Sequence, residues 1–205
     1  FFVLSGFLIT SLLLKDTPEG PSGLLRWWGR RVRRLTPAVA VMVLAVLVAF
    51  VTTSGIALDS FATLTWWQNW RLVLEGTPYW AGSPSPLRHT WSLAIEEQFY
   101  LLWPPILLGV MALGRRTRRP TWVLAGFAAA SGVLSFLWAA WLATRTTPNL
   151  SRIYFGTDTR AGALLLGCVA AALMFRRRRI RSPHATIRPA PRVTALLAPA
   201  AALGL

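Results

Sequence analysis

Trp91-Ser92-Leu93-Ala94-Ile95-Glu96-Glu97-Gln98-Phe99-Tyr100 opens a helix whose continuation, Leu101 to Leu113, is apolar enough to lie in a bilayer. A carboxylate inside such a segment is costly, so its default reading is a functional group facing a cavity or a partner. Thr90 or Ser92 is suited to cap this helix. Glu96 and Glu97 would then lie near its N-terminus, where the helix dipole favours negative charge. The apolar bulk of Trp91, Ile95, Phe99 and Leu101 around them weighs against a dipole role alone. On a regular helix that includes His89, the side chains of His89, Ser92 and Glu96 share one face, and Glu97 points about 100° away. His89 and Glu96 would stand about 10 Å apart along the axis, able to line one cavity without touching.

The rest of the chain sets this segment among others like it. With 54% hydrophobic and 14% charged residues and a positive mean hydropathy, the composition is too apolar for an ordinary soluble domain. Apolar blocks run over Phe1–Leu14, Ala38–Val51, Leu93–Leu113, Trp122–Ala143 and Ala161–Phe175, and a sixth begins near Val193. Some fall short of the roughly 20 residues of a straight span, but flanking residues such as Pro37, Thr52 and Tyr154 extend them. The chain opens on Phe1 with a helix already under way, so both ends are expected to continue in a longer protein. Cys168 is the only cysteine. It excludes an internal disulfide and suits packing within an apolar helix.

A net charge of +15 would fit a nucleic-acid partner, but the distribution argues for a membrane. Seventeen of the 22 basic residues fall in three clusters, Lys15 to Arg34, Arg115 to Arg119 and Arg176 to Arg192. If each apolar block crosses once, all three clusters lie on one side and the remaining five arginines on the other. Such asymmetry is the positive-inside pattern. It puts Lys15–Thr36, Arg115–Pro120 and Arg176–Arg192 in the cytoplasm, with Ser54–Thr90 and Thr144–Thr157 outside.

Between the spans, Asp16 to Gly23 reads as a turn-rich linker punctuated by Pro18, Gly20, Pro21 and Gly23. Leu24 to Leu35 alternates at helical spacing, with Leu25, Trp28, Val32 and Leu35 opposite Arg26, Arg30, Arg33 and Arg34. That pattern predicts a helix lying in the cytoplasmic interface, followed by a new span with Pro37 in its first turn. The outer stretch Leu58 to Thr90 carries Trp66, Trp67, Trp70, Tyr79 and Trp80 and a Ser83-Pro84-Ser85-Pro86 run. These aromatics fit an interfacial belt or a platform for stacking an acceptor sugar. No pair of His or Cys has metal-ligand spacing, and there is no P-loop, dinucleotide fingerprint or GxSxG elbow.

Four ordered segments carry a family resemblance. Phe1-Phe2-Val3-Leu4-Ser5-Gly6-Phe7-Leu8-Ile9-Thr10 resembles the second-helix signature of the acyltransferase family 3 membrane proteins. Arg30-Arg31-Val32-Arg33-Arg34-Leu35-Thr36-Pro37 is similar to that family's RxxR segment before its third helix. His89 to Tyr100 resembles its most recognisable block, and Tyr154-Phe155-Gly156-Thr157-Asp158-Thr159-Arg160 a further one.

The resemblance implies an integral membrane enzyme that moves an acyl group, often acetyl, from a cytoplasmic acyl-CoA to a hydroxyl of a glycan, lipid or antibiotic-like acceptor at the outer face. It implies acetyl-CoA as co-substrate and no tightly bound cofactor. It also implies a catalytic histidine on the family's first helix, a position that neither His89 nor His184 matches. The paired forks of Arg31 and Arg34 suit the phosphates of a CoA-type donor, with lipid head-group anchoring as the alternative. Glu96 is the candidate for proton handling or for orienting the histidine, or else a structural partner of a buried arginine such as Arg160. His89 stands at the outer mouth as a second catalytic candidate. Trp91, Ser92, Tyr154, Asp158 and Arg160 are expected around the acceptor cavity, with an Asp158–Arg160 pair across a turn as an equal structural reading. Ser5 and Gly6 favour close helix packing, and covalent catalysis by Ser5 needs an adjacent base that the sequence alone does not identify.

The expectation is therefore an all-α, polytopic transmembrane helical bundle of about six spans. Residues 1–205 form a partial acyltransferase family 3 domain in the cell (plasma or inner) membrane. Its partners are acyl-CoA, a glycan or lipid-linked acceptor and membrane lipids, with no nucleic acid and no metal. A transporter of an acyl carrier or glycolipid, without bond chemistry, is the alternative. A scaffold ranks third because it leaves the carboxylate pair without a purpose.

Overall fold

A computed structural model of the chain describes residues 1–76, 85–117, 119–146 and 149–181, the last five by backbone alone. Every regular element among them is helical. In chain order these are α1 (Phe2–Lys15), α2 (Gly20–Ala49), α3 (Ile56–Leu64), α4 (Gln68–Glu75), a 3₁₀ turn (Arg88–Thr90), α5 (Trp91–Arg115), α6 (Pro120–Ala143), α7 (Leu150–Phe155) and α8 (Thr157–Arg181). Tyr79, Trp80, Ser83, Pro84, His184 and the sixth apolar block lie outside the described residues, as do Arg188 and Arg192 of the third basic cluster.

Among the described residues, three segments are long and apolar enough to cross a membrane: Gly20–Ala49, Pro120–Ala143 and Leu150–Arg176. Helix α1 is apolar, but its 14 residues extend only about 21 Å, short of a ~30 Å hydrocarbon core. Helix α5 has 25 residues and reaches about 37 Å, with Glu96, Glu97 and Gln98 polar in its second turn. Leucines and valines such as Val41, Leu44, Val48, Leu134 and Leu137 point outward from α2 and α6, each more than half exposed. An apolar exterior of this kind faces lipid.

The direction of each helix follows from its contacts. Ser5 meets Glu96 and Thr10 meets Trp103, so α1 and α5 run the same way. Thr157 meets Gln98, and both Asp158 and Leu165 line one groove with α5, so α8 runs with them. Helix α6 runs opposite, with Pro120 against Gly114 and Ser135 against Asp158 and Gly162. The C-terminal parts of α1, α5 and α8, which carry Lys15, Arg115 and Arg176, therefore share one basic end. The short helices α3, α4 and α7 cap the other.

Close approach of α1 and α8 depends on two glycines. A Cβ on Gly6 would lie 1.9 Å from the Leu164 carbonyl oxygen, and one on Gly167 would lie 2.0 Å from that of Val3. Small residues let backbones meet in this way where lipid supplies no hydrophobic drive. The main core fills around them with Ile9, Leu13, Ile95, Trp103, Leu107, Leu124 and Leu164. Cys168 is buried there, its thiol directed at the Leu164 carbonyl. A smaller core joins α2 to the cap through Val39, Val43, Ile56 and Leu87.

Two expectations about α2 are corrected. The linker expected over Asp16–Gly23 is shorter, because α2 starts at Gly20 with Pro21 in its first turn, where a missing N–H costs nothing. The interfacial helix Leu24–Leu35 and the following span are one 30-residue helix, with Pro37 in its interior rather than at a start. Helical spacing continues on both sides of Pro37. The proline removes the hydrogen bond to the Arg33 carbonyl, which sits on an exposed stretch where solvent or head groups can take its place.

Candidate functional site

Consecutive residues on a helix point about 100° apart, and α5 uses this to send Glu96 and Glu97 to different neighbours. Glu96 faces α1. It is 5% exposed and accepts a 2.6 Å hydrogen bond at Oε1 from the Ser5 hydroxyl. Glu97 faces α2, where Arg31 Nη2 lies 2.8 Å from Oε1 and Arg31 Nε lies 3.2 and 3.3 Å from the two carboxylate oxygens. The planar fork and the carboxylate thus meet in a two-point pair.

Tyr100 lies one turn below both carboxylates and completes the cluster. Its hydroxyl stands 3.5 Å from Glu96 Oε2, and its ring carries the Arg31 guanidinium 3.4 Å above its centroid. A cation over an aromatic face gains from the ring quadrupole, more so when partly desolvated. Pro104 explains a further contact. It has no N–H to donate to the Tyr100 carbonyl, and the Trp28 indole donates to that oxygen instead, at 3.2 Å. One turn of α5 is therefore clasped by Trp28 and Arg31 of α2 on one side and by Ser5 of α1 on the other.

This cluster joins groups expected at opposite ends of a passage. Arg31 lies 11 residues into α2, about 16 Å from its start, and touches α5 only six residues below Trp91. The basic segment of α2 and the acidic turn of α5 are thus in contact. Arg34 is one turn further along α2 and exposed.

The remaining expected residues separate into groups. Trp91 packs against the rings of Phe2, Tyr154 and Phe155, with centroids 5.9, 5.1 and 5.4 Å away. Arg160 donates from Nε to the Tyr154 carbonyl at 2.8 Å and lies 4.5 Å from the Tyr154 ring. Trp91, Tyr154 and Arg160 are therefore brought together. Ser92 and His89 are not part of that group. Ser92 Oγ is 3.5 Å from the His89 carbonyl. His89 sits in the 3₁₀ turn, outside α5, with Nδ1 2.8 Å from the Pro86 carbonyl.

Asp158 and Arg160 do not pair, which corrects the structural reading of those two. Both belong to α8, and residues two apart on a helix face away from each other. Asp158 instead takes both Arg152 amino groups, at 2.7 and 2.6 Å, and the Trp138 indole N–H at 2.7 Å. Glu96 is likewise held by hydroxyls and not by Arg160.

Sequence reasoning missed the residues that fix the height of α5 against the cap. Gln98 donates to the Trp66 carbonyl and to Asn69 Oδ1, at 2.7 and 2.9 Å. Thr157 donates to Gln98 Oε1 at 2.5 Å, and Asn69 Nδ2 donates to Thr157 Oγ1 at 2.9 Å. This ring ties α4, α5 and α8 together. Trp66 has φ +58°, a backbone conformation that is strained for a bulky residue and that accompanies the presentation of its carbonyl to Gln98. About a quarter-turn round α5 from Glu96, a groove of about 540 Å³ runs between α5, α6 and α8. Gln98, Thr157 and Asp158 lie at its cap end, and Leu102, Ile106 and Leu165 lie deeper.

Comparison with known proteins agrees with the motifs. The family described as an acyltransferase domain matches residues 1–205. The peptidoglycan O-acetyltransferase OatA of Listeria monocytogenes is 40% identical over 179 residues, covering 83% of this chain and 28% of that protein. The Bacillus subtilis protein named "Putative peptidoglycan O-acetyltransferase YrhL" is 38% identical over 196 residues, covering 89% of this chain and 29% of that protein. The chain thus spans less than a third of the length of these curated relatives. No solved structure matches. The chain belongs to the acyltransferase domain family, acyltransferase family 3.

Proposed function

We propose that this chain is the core of a multi-pass enzyme of the cell membrane that moves an acetyl group from acetyl-CoA to a hydroxyl of an envelope glycan. The observation that carries the proposal is the cluster of Ser5, Arg31, Glu96, Glu97 and Tyr100. It places two buried or half-buried carboxylates and a guanidinium inside a bundle whose exterior is apolar. The relatives' names supply the acceptor class.

In this reading the Arg34 fork, with the edge of Arg31 that Glu97 does not occupy, holds the phosphates of the donor. Glu96 receives the proton of the acceptor hydroxyl, directly or through a histidine at the family's first-helix position. The hydroxyl oxygen forms a bond to the acyl carbon, the carbon–sulfur bond breaks, and the departing thiolate takes up the proton. Packed helices around the cluster keep water from hydrolysing the thioester. Trp91, Tyr154 and Arg160 form an aromatic and cationic surface one turn above, suited to a sugar. Ser92 and His89 stand nearer the outer entrance. Asp158 frames the start of α8. Helices α1 and α5 join the three membrane-length segments as further helices within the bilayer, and the basic end faces the cytoplasm.

Sealed vesicles carrying the full-length protein test this. Radiolabelled acetyl-CoA supplied on the face bearing the basic end should yield alkali-labile label on glycan at the opposite face. Label that crosses without forming an ester would favour the transporter. Label that stays with the donor would reject both.

A further inference from the structure

The structure assigns Ser5 the role of a positioning residue: its hydroxyl fixes the Glu96 carboxylate in the orientation that acyl transfer uses. This rests on the reading that Glu96 takes part in transfer, and it adds a residue of α1 to that machinery.

Three observations support it. The first is geometric, since Ser5 Oγ lies 2.6 Å from Glu96 Oε1 across 91 positions of sequence, and the two residues are 8% and 5% exposed. A buried carboxylate must be satisfied by the protein, because leaving one unsatisfied is expensive.

The second is the division of labour between the adjacent carboxylates. Arg31 is bonded to Glu97, so hydroxyl groups serve Glu96: Ser5 on Oε1 and, more distantly, Tyr100 at 3.5 Å on Oε2. With Oε1 tied to Ser5, the carboxylate plane is set and Oε2 is turned towards Tyr100. Without that bond, the group is free to turn about its last torsion, whose profile is broad.

The third is that Ser5 sits where it cannot drift. Gly6, the next residue, has no room for a Cβ against Leu164. Five residues on, Thr10 accepts a 2.8 Å hydrogen bond from the Trp103 indole. Helix α1 is thus registered on α8 at Val3 and Gly6, on either side of Ser5, and on α5 at Thr10. Close packing alone would be served as well by alanine at this position, whereas the hydroxyl has a specific acceptor.

The test uses the full-length protein in membranes that contain their own envelope glycan, with labelled acetyl-CoA as donor. Maximal transfer rate and donor KM are measured for wild type, Ser5→Ala, Ser5→Thr, Ser5→Cys and Glu96→Gln, alongside the amount and melting temperature of folded protein. Ser5→Ala should lower the maximal rate per folded molecule at least tenfold with donor KM within twofold, beyond any fall in melting temperature that the lost hydrogen bond brings. Ser5→Thr, which keeps the donor, should recover most of the rate, and Ser5→Cys, with a weaker donor, should fall between. A wild-type rate for Ser5→Ala would overturn the assignment. So would a loss confined to folded protein or donor KM, or a Ser5→Thr variant as damaged as Ser5→Ala. If Ser5→Ala does not fold, the order of Thr above Cys decides. A fully active Glu96→Gln would instead remove the reading of Glu96 on which the assignment rests, whereas an inactive Glu96→Gln beside an active Ser5→Ala would remove Ser5 alone.

Discussion

Arg31 and Glu97, 66 positions apart, meet in a two-point ion pair with Nη2 2.8 Å from Oε1, over the face of Tyr100. The side chain of Glu97 is 11% exposed and that of Arg31 27%, so the pair lies between the surface and buried regimes. The contact makes a single site of what composition alone would divide into a basic mouth and an acidic passage.

Removing one partner should therefore cost more than an exposed pair and less than a fully buried one, roughly 1–3 kcal/mol. Glu97→Gln and Arg31→Ala should each lower the melting temperature of the solubilised protein. Exchanging the charges, with Arg31→Glu and Glu97→Arg together, should restore part of that stability without restoring transfer. Additive losses in the exchanged variant would show that the two side chains do not interact.

Trp28 and Pro104 make a second pair of coupled positions. Trp28→Phe leaves the Tyr100 carbonyl with no donor in a half-buried place, a cost of about 1–3 kcal/mol. Adding Pro104→Ala returns a backbone N–H to that carbonyl and should recover much of the loss. Thermal unfolding of the single and double variants checks this, and a double variant no more stable than Trp28→Phe would contradict it.

At the crossing of α1 and α8, Gly6→Ala and Gly167→Ala each force a methyl group into a backbone carbonyl of the facing helix. Backbone cannot move aside as a long side chain can, so the expected penalty is at least the ~1–3 kcal/mol typical of overpacking. Folded yield in detergent should fall sharply for both. Gly126→Ala, where no atom lies within 4 Å of the added Cβ, should be silent in the same assay.

Asp158 offers a contrast to Glu96. Both of its oxygens are occupied by Arg152 and the Trp138 indole, and its side chain is 41% exposed. Asp158→Asn should cost no more than about 1 kcal/mol and leave most transfer activity. A complete loss of transfer with normal folding would place Asp158 in the chemistry.

Local pattern made the helical class, the Glu96–Glu97 turn and the family legible in the sequence. The glycine-mediated approach of α1 was also foreseeable, from small residues in an apolar run. What was not legible depended on partners far apart in the chain. Gln98 reads as one more polar residue beside the glutamates, and only folding brings Asn69 and Thr157 to it from 29 and 59 positions away. Arg31 reads as one of a cluster of interfacial arginines, and which of them turns towards α5 is set by the register of α2 against Tyr100. Pro37 reads as the start of a helix and Gly20 as a linker breaker, yet α2 passes through the first and begins at the second. A single lost backbone bond is a small cost against 30 residues of continuous helix.

The account stands most directly on whether the cluster at the α1–α2–α5 junction performs acyl transfer. The decisive measurement is transfer of label from acetyl-CoA to envelope glycan by the full-length protein, comparing wild type with Glu96→Gln and Arg31→Ala at equal amounts of folded protein. Loss of a general acid–base group costs on the order of 10²–10⁴ in rate, so Glu96→Gln should fall into that range. Arg31→Ala should fail through weakened donor binding. Wild-type labelling by both variants would contradict the account.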